Sequence, residues 1–132
     1  MNEHGLYGYK YLDHYWTEPG RHPFLVRVGS KLAGFALVRT IRMSDGSTYY
    51  SMVEFFIMRK YRHQGIGQAV AFQVFDMFPG RWRVAQTQGD EPAQKFWQQV
   101  ISRYTNGQFR NVEDDSWRGP IQEFEARPHR EA

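Results

Sequence analysis

The first half of the chain alternates between apolar and polar residues in three stretches of strand length. His22–Val28 and Leu32–Ile41 flank a turn at Gly29–Lys31, which is the signal of a β-hairpin. A second turn at Ser44–Ser47 leads into Tyr49–Met58, whose apolar and aromatic composition predicts a buried strand. We therefore expect three consecutive strands joined by tight turns.

Helical spacing replaces strand alternation from Ile66 onward, and Pro79-Gly80 ends this first helix. Its apolar face is formed by Ile66, Val70, Val74 and Met77, with Phe72 and Phe75 beside it. A second helix begins near Asp90, the expected N-cap, with Pro92 in its first turn. The same helical spacing brings together Ala93, Phe96, Trp97, Val100, Ile101 and Tyr104.

Two further strands complete the predicted order of elements. Arg81–Thr87 indicates a strand between the helices, and Gly119–Ala126 indicates a last strand after a turn at Asn106-Gly107. The order βββαβαβ predicts an α+β or α/β fold, with a mixed, mostly antiparallel central sheet flanked by helices. We expect a single domain over residues 1–132, whose polar end, residues 127–132, is frayed.

The N-terminal segment, residues 1–21, is unusually rich in tyrosine and tryptophan. Its pattern favours a short helix over Lys10–Trp16, closed by a turn at Thr17–Gly20. These aromatic residues either cap the core or line a groove for a substrate, because tyrosine and tryptophan combine apolar area with a polar tip.

Composition narrows the class of protein only slightly. The chain has no cysteine, which excludes disulfides, thiolate metal sites and an acyl-cysteine intermediate. It has no apolar run of membrane-spanning length and no leader, so we expect a soluble cytoplasmic protein. The net charge of +3 fits an anionic cofactor, an RNA or acidic-protein partner, or simply a solvated basic surface.

The junction between the third strand and the first helix has the chemistry of a phosphate cradle. It reads Arg62-His-Gln-Gly-Ile-Gly67, preceded by Arg59 and Lys60. The first N–H groups of a helix lack intrahelical partners, and glycine allows a ligand to approach the backbone closely. The nucleotide triphosphate loop is excluded because no Gly-Lys-Ser/Thr follows, and the dinucleotide pattern fails at Val70.

This Arg-x-x-Gly-x-Gly motif behind an apolar strand resembles the acetyl-CoA pyrophosphate loop of the GNAT superfamily of N-acetyltransferases. The resemblance implies a GNAT-like fold, acetyl-CoA as co-substrate, and a diphosphate held by backbone N–H groups with Arg62 nearby. It also implies that the pantetheine arm pairs beside the preceding strand. The cofactor residues so implied are Phe55, Phe56, Ile57, Arg62, His63, Gln64, Gly65, Ile66, Gly67, Asp90, Phe96 and Trp97.

The second helix resembles a further superfamily signature, usually Asn-x-x-Ala-x-x-Phe-Tyr, but departs from it twice. Asp90 replaces the asparagine, and Trp97 replaces the tyrosine that protonates the departing thiolate in many members. The chain is also short at its N-terminus, because only about twenty residues precede His22 where members usually have one or two helices. The acceptor side is therefore either open or completed by a second subunit, as in a homodimer.

Two residues are the candidates for proton transfer. Glu54 is the expected base, because strand alternation places it on one face with Met52, Phe56 and Met58, where an unpaired carboxylate is costly. Alternatively, Glu54 pairs with an arginine or lies where the strand is solvated. Tyr104 is the candidate acid, although its helical face equally predicts a core position. No histidines and carboxylates have metal-ligand spacing, so we expect no metal.

The sequence therefore predicts an acetyl-CoA-dependent N-acetyltransferase that acts by direct transfer in a ternary complex. The acceptor amine is not identified: a small molecule, a peptide or protein amine, and an aminoacylated RNA all stay open. The alternative function is a non-catalytic acyl-CoA-binding module, which the missing signature tyrosine favours. A basic RNA-binding domain ranks last, because no stacking aromatic motif lies on one strand.

Overall fold

The computed structural model describes residues 11–14 and 18–128, apart from the side chain of His14. These residues form one sheet and two α-helices. The strands are β1 (Leu12–His14), β2 (Arg21–Val28), β3 (Lys31–Arg42), β4 (Thr48–Ile57), β5 (Gly80–Ala85), β6 (Phe109–Asp114) and β7 (Trp117–Ala126), and the helices are α1 (Ile66–Met77) and α2 (Glu91–Thr105).

The sheet has the strand order β1-β2-β3-β4-β5-β7-β6. Every neighbouring pair is antiparallel except β4 and β5. These two are parallel because α1 crosses back along the sheet, so that β5 begins at the same end as β4. This confirms the predicted mixed, mostly antiparallel sheet. The parallel pair matters most for function, since α1 and α2 both begin beyond the carboxyl ends of its two strands.

Both helices pack on one face of the sheet around Phe75 of α1. The Phe75 ring centroid lies 4.9 Å from those of Trp82 and Phe124 on the sheet, and 5.0 Å from that of Tyr104 on α2. All four residues are buried, as is most of the apolar face of each helix. Burial of this apolar surface is the main force that stabilises the arrangement.

The opposite face of the sheet is covered by no helix in the described part of the chain. Residues directly paired across antiparallel strands share a face, so the pairs Leu25–Phe35 and Phe35–Phe56 place all three on this side. Phe35 and Phe56 remain 41% and 40% exposed. We call this side of the sheet the open face.

Two predicted features of the fold differ from the structure. The short helix expected over Lys10–Trp16 is wrong, because Leu12–His14 is strand β1 and pairs with β2. The backbone N–H of Arg27 also donates to the carbonyl of Tyr11 at 2.8 Å, so tertiary pairing overrides the local pattern. Strand β6 was not predicted, since its polar, largely exposed residues follow the rule for an edge strand and carry little apolar alternation.

Candidate functional site

A gap opens between the two parallel strands, β4 and β5. They pair only at Tyr50–Trp82 and Ser51–Arg83, whereas β4 continues to Ile57. The cause is a β-bulge in β4, where Met52 pairs with Val38 but Glu54 already pairs with Leu37, so that Val53 is an extra residue. Beyond the bulge, β4 pairs with β3 alone among the described residues, and its other edge faces the gap.

Aromatic side chains close the gap on the side of the helices. The Phe55 ring centroid lies 5.7 Å from that of Phe96 in a stacked arrangement and 5.0 Å from that of Trp97, edge to face. Phe96 and Trp97 also contact each other, with centroids 4.9 Å apart. These three rings, which we call the aromatic floor, bring together sequence-predicted residues from β4 and α2.

The turn between β4 and α1 is held in shape by its own side chains. Arg62 Nε donates to the carbonyl of Ile57 at 2.8 Å, and Gln64 Nε2 donates to the carbonyl of Lys60 at 2.9 Å. His63 and Gly65 have φ angles of 63° and 78°, in the left-handed region. This path points the first turn of α1 toward the end of β4.

The N-terminus of α1 carries backbone donors that nothing in the helix satisfies. The first intrahelical bond runs from Ala69 N–H to the Gly65 carbonyl, no side chain caps Gly65, and the first turn contains no acidic residue. By contrast, Asp90 caps α2 by accepting from Ala93 N–H at 3.2 Å, as the sequence predicted. The start of α1 therefore suits an anion, whereas the start of α2 already has its carboxylate.

Gly67 allows close packing between the two helices. A Cβ at this position would lie 3.2 Å from Phe96 Cε1 and 3.8 Å from Ile57 Cγ1. Any side chain at residue 67 would therefore press on the aromatic floor. Gly65 differs, because a Cβ built there meets no described atom within 4 Å, and the constraint at this position is its positive φ.

The prediction that Glu54 lies on a buried, apolar face is wrong. Its side chain is exposed, and of the companions predicted by alternation only Met52 is buried, while Phe56 and Met58 are 40% and 39% exposed. The bulge at Val53 shifts the alternation and turns Glu54 toward the open face. No described residue forms an ion pair with Glu54, which lies where the strand is solvated, and its role as the base stays a prediction.

Tyr104 lies in the core, far from the gap. Its hydroxyl oxygen is 2.7 Å from Asp76 Oδ1 and 2.9 Å from the carbonyl oxygen of Arg127. Asp76 follows Ile66 by almost three helical turns, which places it about 15 Å along α1 from the Gly-rich turn. The position gives no support to Tyr104 as an acid that reaches the leaving group, and favours the core role that its helical face also predicted.

The bulge is the functional feature that sequence reasoning missed. Nothing in the apolar run of Met52 to Met58 marks Val53 as an extra residue, because the bulge is visible only in the pairing with β3. The aromatic residues of the N-terminal segment other than Tyr11 lie outside the described residues.

The described residues contain no group of three or more histidines and acidic side chains that would hold a metal ion. No helix of the described chain is both long and apolar enough to cross a membrane.

Comparison with known sequences identifies the family. The model of the "Acetyltransferase (GNAT) family" matches residues 2–101, which is most of the chain. The protein therefore belongs to the GNAT family of acetyltransferases. A search of curated proteins finds no significant match.

Solved structures of several acetyltransferases share the fold. The ribosomal-protein-S18-alanine N-acetyltransferase of Escherichia coli matches with a TM-score of 0.59 and 14% identity, over 87% of this chain and 75% of that one. Arabidopsis thaliana Naa50, in complex with the bisubstrate analogue CoA-Ac-MVNAL, gives 0.58 and 15%, over 77% and 71%. The Bacillus subtilis N-acetyltransferase YlbP, in complex with coenzyme A, gives 0.56 and 15%, over 78% and 66%. These similarities concern the fold alone.

Proposed function

We propose that this protein is an acetyl-CoA-dependent N-acetyltransferase that transfers the acetyl group directly to an amine in a ternary complex. The observation that carries the proposal is the gap between β4 and β5, which adjoins the uncapped N-terminus of α1. A crevice outside the carboxyl ends of parallel strands is the usual ligand site of such a sheet. YlbP and Naa50, which share the fold, are complexes with coenzyme A and with a CoA-containing analogue.

The diphosphate of acetyl-CoA is expected at the start of α1. The N–H groups of Ile66, Gly67 and Gln68 have no intrahelical acceptor, and the helix dipole adds positive potential there. Arg62, which bonds the Ile57 carbonyl in the same turn, would add positive charge near the diphosphate. Asp90 caps α2, and because a carboxylate there repels a diphosphate, we propose no contact between Asp90 and the phosphates.

The pantetheine arm is expected to lie along the open edge of β4. Between Val53 and Ile57 this edge has no strand partner in the described residues, so its backbone groups are available to the amides of the arm. The aromatic floor would then lie beneath the thioester. A backbone N–H of the same edge would polarise the thioester carbonyl, as the chemistry of acyl transfer requires.

Glu54 is the base of the proposed reaction. The amine nitrogen forms a bond to the carbonyl carbon, the carbon–sulfur bond breaks, and CoA leaves as the thiolate. The proton of the amine passes to Glu54, directly or through a water molecule, since the exposed carboxylate is open to solvent. Water or the released proton neutralises the thiolate, because no tyrosine stands at residue 97.

One observation favours the alternative of a non-catalytic acyl-CoA-binding module. Trp97 replaces the signature tyrosine and is 6% exposed within the aromatic floor, where its indole N–H is no useful acid for a thiolate. The two functions differ in turnover after the cofactor has bound. A module binds acyl-CoA and releases no CoA when amines are added.

The test has two stages. Thermal shift with acetyl-CoA, CoA and longer acyl-CoAs measures binding and the preference for acyl length. A panel of amines is then assayed for release of CoA with a thiol reagent, which gives no background from a protein without cysteine. Stabilisation together with CoA release supports the proposal, stabilisation without release supports the module, and the absence of stabilisation contradicts both.

A further inference from the structure

The open face carries a cluster of exposed apolar side chains at one end of β3 and β4. Six large hydrophobic residues of the described chain are at least 39% exposed, and five of them lie in this region. They are Leu32 (49%), Phe35 (41%), Val53 (45%), Phe56 (40%) and Met58 (39%). We call these five residues the apolar patch. Isolated exposed hydrophobic residues are ordinary, but a cluster of them indicates a binding surface.

Two members of the apolar patch, Phe35 and Phe56, contact each other across the two strands. Phe35 pairs with Phe56, and their ring centroids are 5.7 Å apart. The guanidinium carbon of Arg62 lies 5.6 Å from the Phe56 ring centroid, which joins the patch to the Gly-rich turn. The patch and the proposed cofactor site are therefore continuous.

A single carboxylate lies within this apolar surface. Glu54 follows Val53 and precedes Phe56 by two residues on β4, and it is paired with half-buried Leu37 of β3. No described residue forms an ion pair with it. A cation brought to Glu54 would therefore meet one negative charge beside Val53 and Phe56, with the guanidinium of Arg62 near the Phe56 ring.

The same stretch of β4 connects this surface to the gap. Phe55 contributes to the aromatic floor, whereas its neighbours Glu54 and Phe56 project to the open face. An acceptor that lies on the patch would thus reach, at the exposed edge of β4, the position expected for the thioester. The bulge at Val53 creates this arrangement, because it places both Val53 and Glu54 on the open face.

We propose that the acceptor is a primary amine attached to an apolar group, with its nitrogen at Glu54 and its alkyl or aryl part on the apolar patch. This inference rests on the proposed function. In the step, the nitrogen–carbon bond forms, the carbon–sulfur bond breaks, the amine proton passes to Glu54 and CoA leaves as the thiolate. An arylalkylamine and a peptide with an apolar first residue share this chemistry, and the experiment distinguishes the two sources.

The experiment compares matched acceptors by the rate of CoA release. Phenethylamine is compared with ethanolamine, and a tripeptide beginning with leucine with one beginning with serine. One of the two pairs represents the natural source of the acceptor. Within that pair, we expect kcat/KM to be at least tenfold higher for the apolar member than for the polar member. Equal rates within both pairs, or faster turnover of the polar members, would overturn the inference while leaving the acetyltransferase function in place.

Substitutions of Phe35 test whether the apolar patch causes the preference for apolar acceptors. Phe35→Ser should raise KM for the apolar acceptor about tenfold or more with little change in kcat, and should leave KM for its polar partner unchanged. Phe35→Leu keeps an apolar side chain at the same exposed position and should retain most of the preference. Both variants should bind acetyl-CoA like the parent in thermal shift, which checks that each is folded.

Two other results would also overturn the inference. If Phe35→Ser converts a dimer to a monomer in size-exclusion chromatography with light scattering and changes both acceptors equally, the patch is an interface between copies of the chain. If acetyl-CoA binds but no amine releases CoA, the proposed function fails, and the acceptor assignment fails with it.

Discussion

The start of α1 can be tested at Gly65 with two substitutions of nearly identical shape. Gly65→Asp and Gly65→Asn both place a short side chain at a φ of 78°, a conformation that aspartate and asparagine accept more readily than other residues with a Cβ. A Cβ at Gly65 meets no described atom within 4 Å, so neither variant should disturb the packing. The two differ only in one negative charge.

The expected effect of that charge follows from Coulomb's law. At a separation of about 5 Å, two unit charges repel by roughly 0.8 kcal/mol in water and by roughly 3 kcal/mol at an effective dielectric constant near 20. Because about 1.4 kcal/mol corresponds to a tenfold change in Kd, the aspartate should weaken acetyl-CoA binding by about 4-fold to about 200-fold relative to the asparagine. The partly exposed helix end lies between these limits, so we expect at least about tenfold at low ionic strength.

Isothermal titration calorimetry with acetyl-CoA at low and high salt measures the difference directly. The ratio of the two Kd values should shrink as salt is added, since screening weakens the repulsion. Matching circular dichroism spectra and melting temperatures for the two variants would show that strain at Gly65 is common to both. Equal affinities in two folded variants at low salt would refute the placement of the diphosphate at this helix. Gly67 gives a less specific test, because any side chain there also displaces Phe96.

Three further predictions concern other parts of the molecule. Arg62→Lys should weaken acetyl-CoA binding nearly as much as Arg62→Ala, because lysine keeps the charge but loses the Nε bond that holds the turn to the end of β4. If the Kd of the lysine variant equals that of the parent, charge alone matters at this position. Glu54→Gln should lower kcat by roughly two to four powers of ten with acetyl-CoA affinity unchanged; a kcat equal to the parent's would exclude Glu54 as the base. Burial disfavours the charge on Glu123, but hydrogen bonds from Arg83 and Arg110 outweigh burial and lower the pKa of Glu123. The ionised carboxylate therefore stabilises the fold above the unfolded-state pKa. This contribution is lost as pH falls through the lower folded-state pKa. Glu123→Gln should therefore lower the melting temperature at neutral pH and match the parent in strong acid, and an equal loss at both pH values would contradict this account.

Local sequence determined much of the fold and the turn at the start of α1. Gly65 and Gly67 behind an apolar strand, the stop at Pro79-Gly80 and the capping carboxylate of Asp90 each act within a few residues of the chain. Their physical causes are the backbone freedom of glycine, the missing N–H of proline and the short-range hydrogen bond of an N-cap. Such features are legible without knowledge of what packs against them, and the predicted strand–turn–helix unit and α2 are found where the pattern placed them.

Tertiary pairing decided the features that shape the candidate site. The chain around Leu12 forms a strand because β2 offers an edge to pair with, although its own pattern favours a helix. Tyr104 occupies a helical position that fits core and catalysis equally well, and its contact with Asp76 at the far end of α1 places it in the core. The exposure of Glu54 depends on the register between β4 and β3, where one extra residue at Val53 reverses the alternation. Side chains along a strand alternate between its two faces, so a shift of one residue in pairing moves a carboxylate from a buried face to an open one. The sequence of a single strand does not record that shift.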